Sequence, residues 1–115
     1  MAENCLFCKM VSGAIKADVV YQDDDVLAFR DINPQAPTHI LVIPKQHVTT
    51  LNDLRDENVK LAGALLMGAQ RIAKDLGIAQ TGYRTVINTN HEGGQVVFHV
   101  HLHLLGGRQM RWPPG

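Results

Sequence analysis

Three of the chain's six histidines fall within one seven-residue run, His99-Val100-His101-Leu102-His103-Leu104-Leu105, in strict alternation with apolar residues. Alternation with period two marks a half-buried strand, so the three imidazoles are predicted to project from one face while Val100, Leu102 and Leu104 point into the core. Rings on such a face start about 6.6 to 6.8 Å apart, twice the rise per strand residue, which lets them share one small substrate or one proton network. Thr, Lys or Glu would fill a surface strand as well, so three successive histidines argue against mere polar filler. A metal held by all three is disfavoured, because one strand fans its ligands too widely for every nitrogen to reach a tetrahedral ion at about 2.0 to 2.1 Å. Phosphoryl or nucleotidyl transfer suits clustered imidazoles best: one neutral ring attacks phosphorus and holds it covalently, and a second protonates the leaving group. The preceding loop, Asn88-Thr89-Asn90-His91-Glu92-Gly93-Gly94-Gln95, offers glycine backbone whose N–H groups can turn inward, and the amides of Asn88 and Gln95 as neutral donors.

A second group of residues suits different chemistry. Cys5 and Cys8 form a C-x-x-C pair and are the only cysteines. Two thiolates at that spacing bind zinc when two more ligands close the tetrahedron, and the chain offers His47 and His99. The alternatives are two inert thiols, or a redox pair, which should open a helix after a strand in a βαβ context not visible here.

The elements that must hold these residues are legible in outline. Residues 5–13 read as a short amphipathic turn or helix ended by Gly13. Val19 to Gln22 and Val26 to Arg30 read as strands joined in a hairpin whose tip carries Asp23 and Asp24. Asn33 to Pro37 is loop, bracketed by two prolines that bias their predecessors away from helix. Thr38 to Ile43 is a third strand, stopped by Pro44. One long helix is predicted from about Glu57 to Leu76, with Asp56 as N-cap and Gly77 at its C-terminal stop. Its apolar stripe, Ala62, Leu65, Leu66, Ala69, Ile72, Ala73 and Leu76, should cover a sheet. Tyr83 to Thr89 and Val96 to Leu105 supply the last two strands. The pattern is α+β with a mainly antiparallel sheet. The tail from Arg108 to Gly115 carries the only tryptophan, Trp112, which needs a surface to rest on in this domain or a partner subunit.

With 115 residues, residues 1–115 make one domain with one modest core. Eleven basic and eleven acidic residues balance and are scattered apart from Asp23-Asp24-Asp25, so the basic stripe of a nucleic-acid binder and the polybasic helix of a membrane-surface protein are both missing. No apolar run approaches the roughly 18 residues of a membrane span, and Met1-Ala2-Glu3-Asn4 lacks the cationic start of a secretory signal. The expectation is a cytoplasmic protein that engages neither nucleic acid nor membrane.

The run His99 to Leu105 resembles the histidine-triad signature, His-φ-His-φ-His-φ-φ with φ apolar. The words Asp31-Ile32-Asn33-Pro34-Gln35-Ala36-Pro37-Thr38-His39, Gly93-Gly94-Gln95, Leu105-Gly106-Gly107-Arg108 and Trp112-Pro113-Pro114-Gly115 resemble its Hint branch, the histidine-triad nucleotide-binding proteins. The resemblance implies a histidine-triad fold, a five-stranded sheet with one long and one short helix, and a homodimer whose tail, Trp112 included, reaches the partner's site. It implies hydrolysis of P–N bonds in purine nucleoside phosphoramidates, of the adenosine 5′-monophosphoramidate type, with a purine nucleoside monophosphate bound and no organic cofactor. By the same resemblance His101 is the nucleophile that becomes adenylylated, His103 sits at the phosphate and takes part in proton delivery, and His39 supports them from behind. Asp31 holds the ribose hydroxyls with Ile32 beside the nucleoside; Phe7, Ile15 and Phe29 line the purine pocket; Asn88, Gly94 and Gln95 contact phosphate or ribose. On residue type alone Asp31 caps a turn, the apolar three are core, and His39 is a core histidine. The chain departs from animal relatives at Val96, where they carry a serine whose hydroxyl helps bind phosphate or leaving group; valine leaves only its backbone N–H. Other histidine-triad relatives, and galactose-1-phosphate uridylyltransferases, carry zinc on two cysteines and two histidines including the first of the triad. The rival readings are a dinucleoside polyphosphate hydrolase of the Fhit branch and a nucleotide- or metal-binding module without turnover.

Overall fold

The computed structural model describes residues 4–115; Met1 to Glu3, read above for the missing signal, lie outside the described residues. Helix α1, Leu6–Ser12, starts where the Cys5 sulfur accepts the Cys8 N–H at 3.4 Å and ends at Gly13, whose φ of 85° is the left-handed conformation glycine adopts without strain. Strands β1, Val19–Gln22, and β2, Val26–Arg30, form the predicted hairpin. Its turn is held by the Asp23 carboxylate, which accepts the N–H groups of Asp25 and Val26 at 2.8 and 2.9 Å. Strand β3 spans Thr38–Pro44, helix α2 Val59–Asp75, strand β4 Tyr83–Val86, the short helix α3 Asn90–Gly93, and strand β5 Leu102–Gly106. The five strands form one sheet in the order β1-β2-β3-β5-β4, with every neighbouring pair antiparallel. The fold is α+β, as the sequence pattern implied.

The pleat divides the sheet's side chains between two unlike faces. Val26, Ala28, Ile40, Val42, Leu102 and Leu104 meet Leu65, Ala69, Ile72 and Ala73 of α2 in the main core. Each fully buried Leu, Ile or Val there contributes about 1.5 to 3 kcal/mol. On the other face Leu27, Phe29, Leu41 and Ile43 pack under Phe7 of α1. Beside that smaller cluster the apolar surface gives way to His39, two residues before Leu41 on β3, and His103, directly opposite Leu41 on β5.

Several expectations about boundaries need correction, each for a physical reason. The last strand begins at Leu102, not Val96: continuing its register would set Val100 opposite Pro44, which has no N–H to extend the ladder. Strand β4 therefore stops at Val86, opposite His103, instead of running to Thr89. The long helix begins at Val59 after a 3-10 turn over Asp56–Asn58; Asn58 Oδ1 accepts the Arg55 N–H at 3.0 Å, so Asp56 opens that turn and does not cap the helix. Leu66, assigned to the buried stripe, is exposed, since it lies one helical step round from Leu65. Among the described residues no helix is long and apolar enough to cross a membrane.

Candidate active site and metal centre

The three triad imidazoles lie on the Phe7 side of the sheet, away from the buried Val100, Leu102 and Leu104, but they divide between two groups of partners. Only His103 sits within the strand, which starts at Leu102; His99 lies in a bend and His101 in the segment that leads from it into β5. His99 turns toward Cys5, Cys8 and His47, whereas His101 and His103 stand together with ring centroids 4.9 Å apart. Six histidines thus resolve into two clusters, plus the exposed His91.

Hydrogen bonds to main-chain groups assign the tautomers of His101, His39 and His103. A carbonyl can only accept, so His101 Nδ1, 2.8 Å from His99 O, carries a proton, and Nε2 keeps its lone pair. No hydrogen bond to the described residues occupies that Nε2, and no buried side-chain nitrogen or oxygen among them lacks a partner, so the atom opens to solvent. The Gln35 N–H donates to His39 Nδ1 at 3.0 Å, which leaves the His39 proton on Nε2, directed at His103 Nδ1 2.9 Å away. The neutral His103 then carries its own proton on Nε2. Asp31 Oδ2 lies 3.6 Å from His39 Nε2, a carboxylate beside the His39–His103 hydrogen bond.

Burial keeps these rings neutral. Desolvation lowers His101 and His39 below the ordinary histidine value, Asp31 offsetting part of the effect in each. His103 is pushed down to about 4 by burial, with His101 and His39 beside it adding to the shift. Phe7 contributes by standing edge-on to His101 at 5.2 Å.

A cavity of about 370 Å³ opens over the relay. Phe7 and Leu41 give it apolar lining, His39, His101 and His103 an imidazole edge, and Asp31, Asn33 and Gln35 polar groups; Asn88, Gly94, Val96 and Val97 complete it. None of these lining residues is Lys or Arg. Asn33, Gln35, Leu41 and Val97 were not singled out from the sequence. For Gln35 the working group is the main-chain N–H, which residue type does not reveal; the bracketing prolines were the only signal for that turn. Of the residues that resemblance assigned to the nucleotide, four lie outside the lining. Ile32 is fully exposed and Ile15 half-buried. Phe29 sits behind Phe7, ring centroids 5.5 Å apart. Gln95 is buried with its amide already engaged: Oε1 accepts the Asn90 N–H at 2.9 Å, and Nε2 donates to Thr49 O and Val97 O at 2.9 and 3.1 Å. In this arrangement it holds the loop in place and has no amide hydrogen free for a phosphate. Asp31 serves as the turn residue its type suggested, Oδ1 accepting the Asn33 N–H at 2.8 Å, and also faces the cavity.

The second cluster brings together ligand atoms separated by 94 residues of chain. His99 Nε2 donates to Pro44 O at 2.8 Å, so its Nδ1 lone pair faces Cys5 Sγ at 3.3 Å, Cys8 Sγ at 3.5 Å and His47 Nδ1 at 3.2 Å; Cys8 Sγ lies 3.3 Å from His47 Nδ1. A tetrahedral ion with metal–nitrogen bonds of about 2.0 to 2.1 Å and metal–sulfur bonds of about 2.3 Å sets its ligand atoms roughly 3.3 to 3.8 Å apart. These four residues can therefore hold a metal ion, and the donor set is compatible with zinc. Asp31, His39 and His103 also lie close together, but the His39 to His103 contact of 2.9 Å is a hydrogen bond, not a ligand edge.

Comparison with known proteins bears on this geometry. The HIT domain family model matches residues 12–110. An uncharacterised HIT-like protein of Synechococcus elongatus is 53% identical over 115 residues, all of both chains. The purine nucleoside phosphoramidase of Escherichia coli strain K12 is 52% identical over 110 residues, 96% of this chain and 92% of that one. The crystal structure of a HIT family hydrolase from Legionella pneumophila superposes with a TM-score of 0.95 at 56% identity, covering 97% of this chain and 100% of the other.

Proposed function

Because the chain belongs to the HIT domain family, we propose that it is a hydrolase of purine nucleoside phosphoramidates working through a nucleotidylated His101. The observation that carries the reading is the anchoring of His101 Nδ1–H on the His99 carbonyl, which leaves Nε2 unprotonated and open at the cavity beside His103. His101 Nε2 attacks phosphorus and the P–N bond breaks. His103, protonated from solvent once the charged phosphate is bound beside it, gives its Nε2 proton to the departing amine and returns to the neutral form, in which His39 Nε2–H, aligned by the Gln35 N–H, supports His103 Nδ1. Water then attacks phosphorus, losing a proton through His103 to solvent, and the phosphorus–imidazole bond breaks to release the nucleoside monophosphate and free His101. Asp31 accepts the ribose hydroxyls, and the backbone of Gly94 and Val96 with the Asn88 amide meets the phosphate. The absence of Lys and Arg from the lining favours a substrate with one negative charge at phosphorus over a dinucleoside polyphosphate, whose several charges need cationic partners.

Zinc is the ion we assign to Cys5, Cys8, His47 and His99, from the match between observed separations and tetrahedral edges. When bound it supplies a cross-link between α1, the loop after β3 and the triad segment, and no chemistry on substrate. The reading also makes the protein a homodimer. Exposed Val59, Leu66 and Met67 on the outer side of α2, and the unpaired edge of β4, support it. Trp112, 82% exposed in the isolated chain, then docks at the partner's site with the tail 108–115. The unpaired cysteines agree with action in the cytoplasm, where thiols stay reduced. Reaction with adenosine 5′-monophosphoramidate, quenched in denaturant at alkaline pH where a phosphorus–imidazole bond survives, should give protein carrying one adenylyl group on His101, absent from His101→Ala. Tight nucleotide binding without adduct or turnover would favour the binding-module alternative.

A further inference from the structure

The peptide unit joining His99 to Val100 is gripped from two sides. Its N–H donates to Val48 O at 2.6 Å, next to His47, and its C=O accepts the His101 Nδ1–H at 2.8 Å. It has no ladder to hold it, since β5 starts only at Leu102. The His99 ring is pinned by Pro44 O and faces the thiols and His47. Both histidines of the metal cluster therefore flank the hydrogen bond that orients the carbonyl holding the nucleophile.

We propose that His47 and His99 are positioning residues for the reaction: joined through one metal ion with Cys5 and Cys8, they lock the 99–100 peptide plane, and the His99 carbonyl in turn fixes the tautomer and direction of His101. The inference rests on His101 being the nucleophile. A ring held by a single bond to a carbonyl is directed only as well as that carbonyl. With the four ligands joined, the 47–48 segment and the 99–100 segment cannot separate, and the Val100 to Val48 bond between them stays closed. Phe7 adds a second link, because it lies edge-on to His99 at 5.8 Å and to His101 at 5.2 Å, and its helix starts on the Cys5 sulfur. Asp31 and Asn88, the groups read as holding the nucleoside and phosphate, lie on other loops. Loss of the cross-link should therefore slow attack on phosphorus far more than it weakens nucleotide binding, to which α1 contributes only the Phe7 wall.

The test compares zinc-loaded protein with chelator-stripped protein and with His47→Asn and Cys8→Ser, each checked for retained fold by circular dichroism. Adduct formation on His101 from the phosphoramidate should slow of order tenfold to a hundredfold with a much smaller change in KM, and added zinc should restore the stripped wild type but not Cys8→Ser. Two readouts do not depend on turnover. In nitrogen-15 spectra of loaded protein the His101 Nδ1 should bear its proton, and stripping should abolish that single-tautomer signature. In cobalt-substituted protein, the ligand-field absorption bands should shift on His101→Asn, since coupling between sites is reciprocal. Folded, stripped protein with an unchanged adduct rate overturns the positioning role. If stripping unfolds the chain, identical cobalt bands in wild type and His101→Asn overturn it. Loaded wild type that forms no adduct overturns instead the assignment of the nucleophile.

Discussion

The two histidine clusters use the same side chain in opposite ways, and main-chain carbonyls and N–H groups decide which. In the His39, His103 and His101 group the rings hydrogen-bond in sequence, from the Gln35 N–H through His39 to His103, and one lone pair is left open at His101 Nε2. In the Cys5, Cys8, His47 and His99 group the Pro44 carbonyl takes the His99 Nε2 proton, and the free donors turn inward on one point. A ring whose open nitrogen meets solvent is ready to react; one whose open nitrogen meets two sulfurs and another imidazole is ready to bind a metal ion. Adjacent triad members two residues apart fall on either side of that divide.

The sharpest way to break this division is to remove one ring from each side. His101→Ala should lower kcat by at least about three orders of magnitude with only modest weakening of nucleotide binding, and should keep its metal. His47→Ala should lose the metal and lower the unfolding midpoint by about 5 °C or more while keeping more activity than His101→Ala. Metal analysis and calorimetry beside steady-state kinetics check both; equal kinetic losses in the two variants would erase the distinction.

Within the reactive cluster, His39→Asn keeps a polar group but ends the relay from Gln35. The expected loss is about 10²-fold in kcat, greatest for leaving amines that most need a proton, as a series of leaving groups would reveal. Asp31→Ala comes next. Hydrogen bonds to a charged group are worth roughly 1.5 to 3 kcal/mol, so ribose and 2′-deoxyribose substrates should become nearly equivalent in kcat/KM. A variant that still prefers ribose as strongly as wild type would return Asp31 to its turn-forming role with Asn33.

The smallest effect concerns pH. Burial holds His101 below the ordinary value of about 6.5, so kcat/KM should stay level as pH falls from 8 through about 6.5 and decline only lower. Stability follows from the same displacement. With His103 at about 4 in the folded chain and ordinary in the unfolded one, the stability present above about pH 6.5 is progressively lost as pH falls from there toward about 4. A rate profile with its acid limb at 6.5 or above would mean that the rings are solvated in the working protein.

How much of this was legible beforehand varies with the physical origin of each feature. The hairpin at Asp23, the Gly13 stop, and α2 with Leu65, Ala69 and Ile72 facing the sheet follow from local pattern and turn chemistry. The spacing of Cys5 and Cys8 and the alternation around His101 marked both clusters by residue type. The helical stripe failed at Leu66 because periodicity defines an apolar arc but not which edge of it the sheet covers. The alternation failed as a strand signal before Leu102 because a ladder needs a partner N–H, and Pro44, nearly sixty residues earlier, supplies none. Gln95 carries a side chain suited to phosphate, yet its neighbours in space, Asn90, Thr49 and Val97, engage all of it.

By itself the sequence determined the α+β class, the helix and most strands, and it marked the histidines proposed to react and the four residues that could hold a metal ion, because periodicity, turn residues and ligand chemistry are local properties of the chain. Only the tertiary structure decided that His99 leaves its triad neighbours for the cysteines, that Gln35 contributes through its main chain, and that His101 has an open Nε2. Those outcomes depend on which distant carbonyl or N–H lies within hydrogen-bond reach of each ring, and no spacing along the chain encodes that.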